Sequence, residues 1–599
     1  MGQVNFSVYI TTQNLEKYGA NADTLTEMIG NVKDIGANKV FLESWRGGKL
    51  TDKTIHKHVR DAFVEAGIEV ATGIMPVRGG DVSLLDTDDF GFKKDIGGNS
   101  RWASDICYSR PWSREVLREA MRQGAELFDE YIIDDAFCTQ CTCVYCRAQR
   151  GDRTWDEFRR DQLLEVARED IVGACREVNP DIKMILKFPQ WYDRLKNFGY
   201  DTATEPGEFD ATWIGTETRD PDTAQFGFVP QYEACFNVRW HKNSSPNLEG
   251  CWFDFYDCDK TIYVEQAYQS VLGGARNLTL FCYASGLFLD AKDDYLGNLK
   301  KHTPNLQKIA DATECEPVGV TVVRPHNPVP REDHYIYDSF GMCGFPLVPV
   351  ADWPEETPKS LLVTAHNTDD DQLTAKVADV VDAGGTVFIT AAAMAERDDD
   401  EELKKLAGYQ QNGWVERRRW ECDIIVLDDR EFTYDETIEW RFDLQPQTAE
   451  ILVGTRGMGH HGPDTRIPIV TRQEHASGGA VVVLNVYGAS PEDFPMSESL
   501  NVPVELVMQK LPPVVLNIIQ EQVAKAVGRA IIAPARVGFY PFENGTIVLQ
   551  NFRDVPICAK IAGEDLPEGV KDQLGNAEVM RGDGATSVYL PPRSAALLR

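Results

Sequence analysis

Two adjacent carboxylates close the run Glu130-Tyr131-Ile132-Ile133-Asp134-Asp135-Ala136-Phe137, and Cys138, Cys141, Cys143 and Cys146 follow at once. The segment Tyr-Ile-Ile is aromatic and β-branched and suits a buried parallel strand. Acids do not suit one. An unpaired buried carboxylate costs roughly several kcal/mol, so the pair must stand at an opening or be held by cations. Other apolar runs end in similar groups: Glu43, Trp45 and Arg46; Lys187 and Trp191; Glu217 and Arg219; Trp252 and Asp254; Tyr283. Paired carboxylates carry out glycoside hydrolysis as acid and nucleophile or base, and aromatic faces stack on the apolar side of a sugar ring. The candidate catalytic acids are Asp135, Glu217 and Asp254, with Asp135 partnered by either of the other two. Glu43, Trp45, Arg46, Asp134, Lys187, Trp191, Arg219, Trp252 and Tyr283 are the candidates for holding the sugar. The plain alternative is a strand-end acid that only caps a helix or pairs with an arginine, and Glu43 with Arg46 fits it.

The cysteines carry a second signal. A C-x-C-x-x-C run with one further thiolate supplies the tetrahedral S₄ set that zinc favours. Cys138 and Cys107 are both candidates for the fourth ligand. A site closed by four thiolates is structural, because a catalytic zinc keeps one position open.

The elements that position these groups alternate regularly. Strands are expected at Val4–Thr11, Lys39–Trp45, Glu69–Pro76, Glu130–Phe137, Lys183–Trp191, Ala211–Arg219, Gly250–Tyr256 and Asn277–Ser285. Helices are expected between them, at Leu25–Ile35, Asp52–Ala66, Ser113–Phe128, Pro230–Lys242 and Thr261–Leu272. Another opens at the capping box Thr154-x-x-Glu157. Eight such units make a (β/α)₈ barrel, which carries its chemistry at the carboxyl ends of the strands. The first strand runs into Thr11-Thr12-Gln13-Asn14 and lacks a G-x-G-x-x-G turn, which argues against a dinucleotide-binding open sheet. Beyond it come a flavodoxin-like α/β stretch with a β-rich insertion and, last, short strands between Gly, Pro and Asn turns, a small β-sandwich. The expected domains are 1–312, 313–529 and 530–599.

The chain has 599 residues, 43% of them hydrophobic and 26% charged, with a net charge of −33. That charge disfavours nucleic acid and anionic membrane as partners. No apolar run reaches the roughly 18–20 residues of a membrane span. The start Met-Gly-Gln-Val-Asn-Phe-Ser lacks a basic region followed by an apolar stretch, so a cytoplasmic protein is expected.

Taken together, the acid pair ending strand four, the C-x-C-x-x-C loop and the earlier Cys107 before Ser109-Arg110-Pro111-Trp112-Ser113-Arg114-Glu115 resemble the barrel of glycoside hydrolase family 42 β-galactosidases. The succession of barrel, flavodoxin-like domain and small β-domain is similar too. The resemblance implies a structural zinc on Cys107, Cys141, Cys143 and Cys146, with Cys138 an extra, no organic cofactor, a carbohydrate substrate and a homo-oligomer, a trimer in that family. The chain departs from the family at both catalytic positions. Asp134-Asp135 stands where the family has Asn-Glu, and Asp254 is the nearest match to its strand-seven Glu. An Asp on strand four with an acid on strand six is instead similar to α-galactosidase-type barrels, in which Asp135 would be the nucleophile and Glu217 the acid/base. The expected function is a glycoside hydrolase acting on a small oligosaccharide or glycoside. A non-catalytic carbohydrate-binding or assembly protein and a lyase or isomerase using Lys187 are the competing readings.

Overall fold

The structure, a computed structural model, describes residues 2–47, 49–76, 107–135, 137–142, 144–221, 229–245, 247–410, 413–428, 430–456, 466–494, 506–582 and 585–599. The chain divides into two compact units.

The first unit comprises residues 1–229 and 244–310. Its strands are β1 (Asn5–Ile10), β2 (Ala37–Arg46), β3 (Glu69–Met75), β4 (Glu130–Ile133), β5 (Lys183–Phe188), β6 (Ala211–Gly215), β7 (Leu248–Asp254) and β8 (Asn277–Phe281). Neighbours pair in parallel, and β1 pairs with both β2 and β8, so the eight strands close into a barrel. A two-residue strand, Lys49–Leu50, folds back antiparallel on the end of β2.

Helices are started by short polar side chains. Asn21 caps α1 (Ala22–Asp34), Asp52 caps α2 (Lys53–Glu65) and Asp259 caps α3 (Lys260–Gly273), each accepting two backbone N–H bonds. The capping box of Thr154 and Glu157 is present. Gly274 ends α3 at φ 111°, a conformation that costs other residues a steric clash. A helix at Thr12–Gly19, for which the sequence carries no expectation, also occupies the connection after β1.

The barrel is filled from alternate positions of its strands. Tyr9, Phe41, Ala71, Ile132, Ile185, Ala211, Trp213, Trp252 and Phe281 form one buried cluster. Each large apolar side chain so buried contributes roughly 1.5–3 kcal/mol. Strand side chains alternate with a period of two, so the next inward residue toward the carboxyl end is fixed by the core beneath it. Phe41 leads to Glu43, Ala71 to Gly73, Ile132 to Asp134, Ile185 to Lys187, Trp213 to Gly215 and Trp252 to Asp254. The polar layer at the mouth is therefore built directly on the apolar layer.

The second unit comprises residues 230–243, 311–495 and 502–599. The stretch 230–243, expected among the barrel helices, belongs here. Within this unit Trp240 Nε1 donates to Arg324 O at 2.8 Å and Asn243 Nδ2 to Pro349 O at 2.7 Å. Five parallel strands, β9 (Val320–Val323), β10 (Leu347–Val350), β11 (Ser360–Val363), β12 (Thr386–Thr390) and β13 (Ala480–Leu484), lie in the order β10-β9-β11-β12-β13, the flavodoxin-like order. The β-rich insertion at 414–474 extends the same sheet with antiparallel strands beyond β13. The C-terminal strands form a four-stranded and a three-stranded sheet that share one core, including Phe539, Leu549, Val588 and Leu598.

Candidate active site

Lys187, on β5, is the hub of the barrel mouth. Its side chain is 1% exposed, and its Nζ donates to Asp135 Oδ2 at 2.7 Å, to Glu217 Oε1 at 2.7 Å and to Asp134 Oδ1 at 3.4 Å. The ammonium also stands 4.4 Å from the centre of the Trp252 ring. Burial works against the charged form of Lys187, but the carboxylates of Asp135, Glu217 and Asp134 outweigh it and hold the pKa above the ordinary lysine value. The amine therefore stays protonated near neutral pH, which removes the nucleophile that a Schiff-base reading needs.

Two neighbouring carboxyls are pushed the other way. Burial, with the Asp135 charge added, raises Asp134 to about 7 against the pull of Lys187 and Arg46. Burial raises Glu217 to about 7 as well, opposed by Lys187 and assisted by the charges of Asp135 and Asp254. Glu217 Oε2 is buried and has no hydrogen-bond partner among the described residues. It lies where a side chain at position 215 would start: a Cβ on Gly215 would sit 2.4 Å from Oε2 and 3.1 Å from the Gln190 backbone nitrogen. The glycine that ends β6 thus leaves the space that the Glu217 carboxyl fills.

Two arginine–carboxylate pairs flank this centre. Arg46 Nε lies 2.9 Å from both Glu43 oxygens, and its Nη2 is 3.7 Å from Asp134 Oδ2. Glu43 also accepts from Tyr9 OH and from the Thr12 backbone N–H, both at 2.8 Å. Arg219 grips Asp254 with two bonds, 3.0 and 2.6 Å. Asp254 is thereby committed to an arginine, whereas Asp135 and Glu217 share one ammonium with each other.

The candidate aromatic platforms are placed differently. Trp252 is 2% exposed and forms the floor beneath Lys187. Trp191 is buried against Phe198 and Tyr200; the Tyr200 hydroxyl in turn donates to the Asp135 carbonyl. Trp45 is buried, with its indole N–H lacking a hydrogen-bond partner among the described residues. Tyr283 does not join the mouth. Its hydroxyl meets Asn31 on α1 at 3.1 Å and its ring packs on Tyr18 and Phe288. Large flat rings fill volume well, and in a barrel this narrow most strand-borne aromatics are drawn into the packing. Tyr9, Gly215 and Phe281 were not singled out from sequence. Tyr9 and Phe281 resembled ordinary strand residues, and only the alternation from their buried neighbours could have marked them.

Behind strand four, the thiol groups of Cys107, Cys141 and Cys146 are buried and lie within 4.8 Å of one another. Cys107 Sγ is 3.6 Å from Cys146 Sγ. A tetrahedron with Zn–S bonds of about 2.3 Å places its sulfurs about 3.8 Å apart, so the donor set fits zinc. Cys143 lies outside the described residues, and Cys138 is buried but not part of this group. Ser109 donates to Cys146 Sγ at 3.2 Å and accepts from Gln162 at 2.7 Å, so the thiols have oriented neighbours.

Residues 1–307 match the family described as "Probable glycosyl hydrolase, catalytic domain". An uncharacterised protein of Saccharolobus solfataricus is 25% identical over 382 residues, which is 58% of this chain and 60% of that protein's length. Among solved structures, the GH42 β-galactosidase Gan42B of G. stearothermophilus aligns over 100% of this chain and 98% of its own at 13% identity and a TM-score of 0.63. An α-L-fucosidase isoenzyme 2 of Paenibacillus thiaminolyticus aligns over 100% and 99% at 11% identity and a TM-score of 0.65. At such identities these likenesses speak for the shared fold. With the family match spanning the barrel, the chain belongs to the probable glycosyl hydrolase catalytic-domain family.

Proposed function

We propose that the protein hydrolyses a small oligosaccharide or glycoside by double displacement, with Asp135 as nucleophile and Glu217 as general acid and base. The observation that supports this reading is the sharing of Lys187. Two bonds of 2.7 Å to one nitrogen keep the Asp135 and Glu217 oxygens no further apart than twice that length. Retaining glycosidases separate their carboxyl groups by roughly 5–5.5 Å, inverting ones by roughly 6.5–9.5 Å.

In the first step Glu217, raised to about 7, gives its proton to the glycosidic oxygen while Asp135 attacks the anomeric carbon. The leaving group departs and a glycosyl ester forms on Asp135. In the second step the Glu217 carboxylate takes a proton from water, whose oxygen attacks the same carbon and frees Asp135. Negative charge thus passes from Asp135 to Glu217 and back. Lys187 contacts both, so one ammonium stabilises the site in either state without moving. Asp134, Arg46 and Arg219 hold charge and position around the pair. The deep burial of Glu217 and Asp134 supports a pocket for the end of a chain, in keeping with a small substrate.

Cys107, Cys141 and Cys146, with Cys143, would hold a structural zinc that ties the loop behind strand four to the segment preceding the Pro111–Ala125 helix. When bound, the metal supplies a crosslink and no chemistry at the sugar. The test of the reaction is a panel of 4-nitrophenyl glycosides in both anomeric forms. At least one member should be hydrolysed, and Asp135→Asn should lower its kcat by about a thousandfold or more with the circular dichroism spectrum unchanged. Undiminished turnover of that substrate by Asp135→Asn would remove Asp135 from the role.

A further inference from the structure

Trp45, Trp191, Trp252 and Tyr283 are 3%, 5%, 2% and 1% exposed, so none offers a ring face to a ligand. Among the described residues at the strand ends, one tyrosine is open. Tyr256, two residues beyond Asp254, is 40% exposed. Its backbone N–H donates to Asp254 Oδ1 at 3.2 Å. The turn that carries it is pinned from below: Gln266 Nε2 donates to Asp254 O at 2.7 Å, and the Cys258 thiol donates to Tyr256 O at 3.3 Å. The adjoining Phe255 ring fills space that only a glycine at 286 leaves, since a Cβ there would sit 2.8 Å from it.

Tyr256 is also the outer end of a row of rings. Tyr9 lies 4.6 Å from Trp252, Trp252 stacks on Phe281 at 5.2 Å and 23°, and Phe281 lies 6.3 Å from Tyr256. The inner rings are covered by the site's cations, Trp252 by Lys187 at 4.4 Å and Phe281 by Arg46 at 5.4 Å. Among the described residues no cation covers Tyr256. Arg46, Lys187 and Arg219 are each paired with carboxylates, so the mouth offers these cations to an uncharged ligand only as neutralised pairs.

We propose that Tyr256 is the stacking platform of the site, receiving the apolar C–H face of an uncharged pyranoside whose glycosidic bond is then presented to Asp135 and Glu217. The proposal rests on the glycosidase reading of that pair and adds the residue that binds the ring. In steady-state assays with the 4-nitrophenyl glycoside that the protein hydrolyses best, Tyr256→Ala should raise KM roughly five- to tenfold, with kcat falling much less. Tyr256→Phe, which keeps the ring, should bring KM back to within about twofold of the parent. A Tyr256→Ala enzyme with unchanged KM overturns the platform. So does a Tyr256→Phe enzyme as impaired as Tyr256→Ala, which would assign the effect to the hydroxyl.

Binding of the same glycosides to Asp135→Asn, followed by intrinsic fluorescence, separates this proposal from the catalytic one. Weaker binding after adding Tyr256→Ala supports the platform even where Asp135 proves dispensable. Equal binding overturns the platform even where Asp135→Asn has abolished turnover.

Discussion

Glu217 depends on what position 215 lacks. A methyl group there would meet the carboxyl at 2.4 Å and the Gln190 backbone at 3.1 Å, and only the carboxyl can swing aside. Gly215→Ala should therefore lower kcat by about ten- to a hundredfold, within the range of a misplaced acid, and change the melting temperature little. Unchanged kcat would show that Glu217 is not needed where it stands. The raised pKa has two consequences of known sign. As the acid, Glu217 must carry its proton in the free enzyme, so kcat/KM should fall as pH rises through about 7, and Glu217→Gln should lose that limb along with about 10²–10⁴-fold of activity. For stability, a carboxyl with a folded pKa above its unfolded one binds its proton more tightly when folded. Its contribution is present below the unfolded value near 4.5 and is lost as pH rises through about 7. The melting temperature of Glu217→Gln relative to the parent should therefore climb between about pH 5 and pH 8; a flat difference would contradict the raised pKa. At this scale the sequence showed which residue types stood at strand ends. It did not show that Asp254 would be taken by Arg219 while Asp135 and Glu217 shared Lys187, because pairing among three cations and five acids is decided by tertiary distances.

At the scale of elements, the barrel strands were legible because their apolar runs are bounded by helix caps and glycine stops, and the capping box at Thr154 opened a helix as expected. Ends were less so. Strand β4 leaves the ladder after Ile133, four residues before the expected Phe137, although the Asp134 N–H still donates to Ile74 O at 2.9 Å. Apolar Phe137 continued the pattern, yet it belongs to the loop, where it packs on Tyr108. That loop is held at Thr139, whose N–H donates to Phe198 O at 2.9 Å, and at the thiol group. Protein purified without chelator should contain about one zinc per chain for one S₄ site, and Cys146→Ser should lose it and melt earlier while its active fraction keeps most of its kcat. Retained zinc in Cys146→Ser would show that Cys146 is not a ligand.

At the scale of the molecule, the flavodoxin-like order β10-β9-β11-β12-β13 was anticipated from alternating strands and helices, as was the final sandwich from its short strands and turns. The grouping of residues 230–243 with the second unit was not. A helix between barrel strands six and seven reads as barrel by its place in the chain, and only its side-chain partners, such as Arg324 and Pro349, reveal otherwise. No helix among the described residues is long and apolar enough to cross a membrane. If the second unit assembles copies as the GH42 resemblance implies, light scattering after size exclusion should give a trimer, and a monomer would rule that assembly out. In the proposed double displacement the sugar passes through an ester on Asp135. The direct measurement is mass spectrometry of peptides after incubation with the 2-deoxy-2-fluoro analogue of the best glycoside in the panel. One glycosyl group per chain is expected on the peptide containing Asp135, absent from Asp135→Asn; a label on Asp254 or Glu217, or hydrolysis with inversion at the anomeric carbon, would contradict the ester on Asp135.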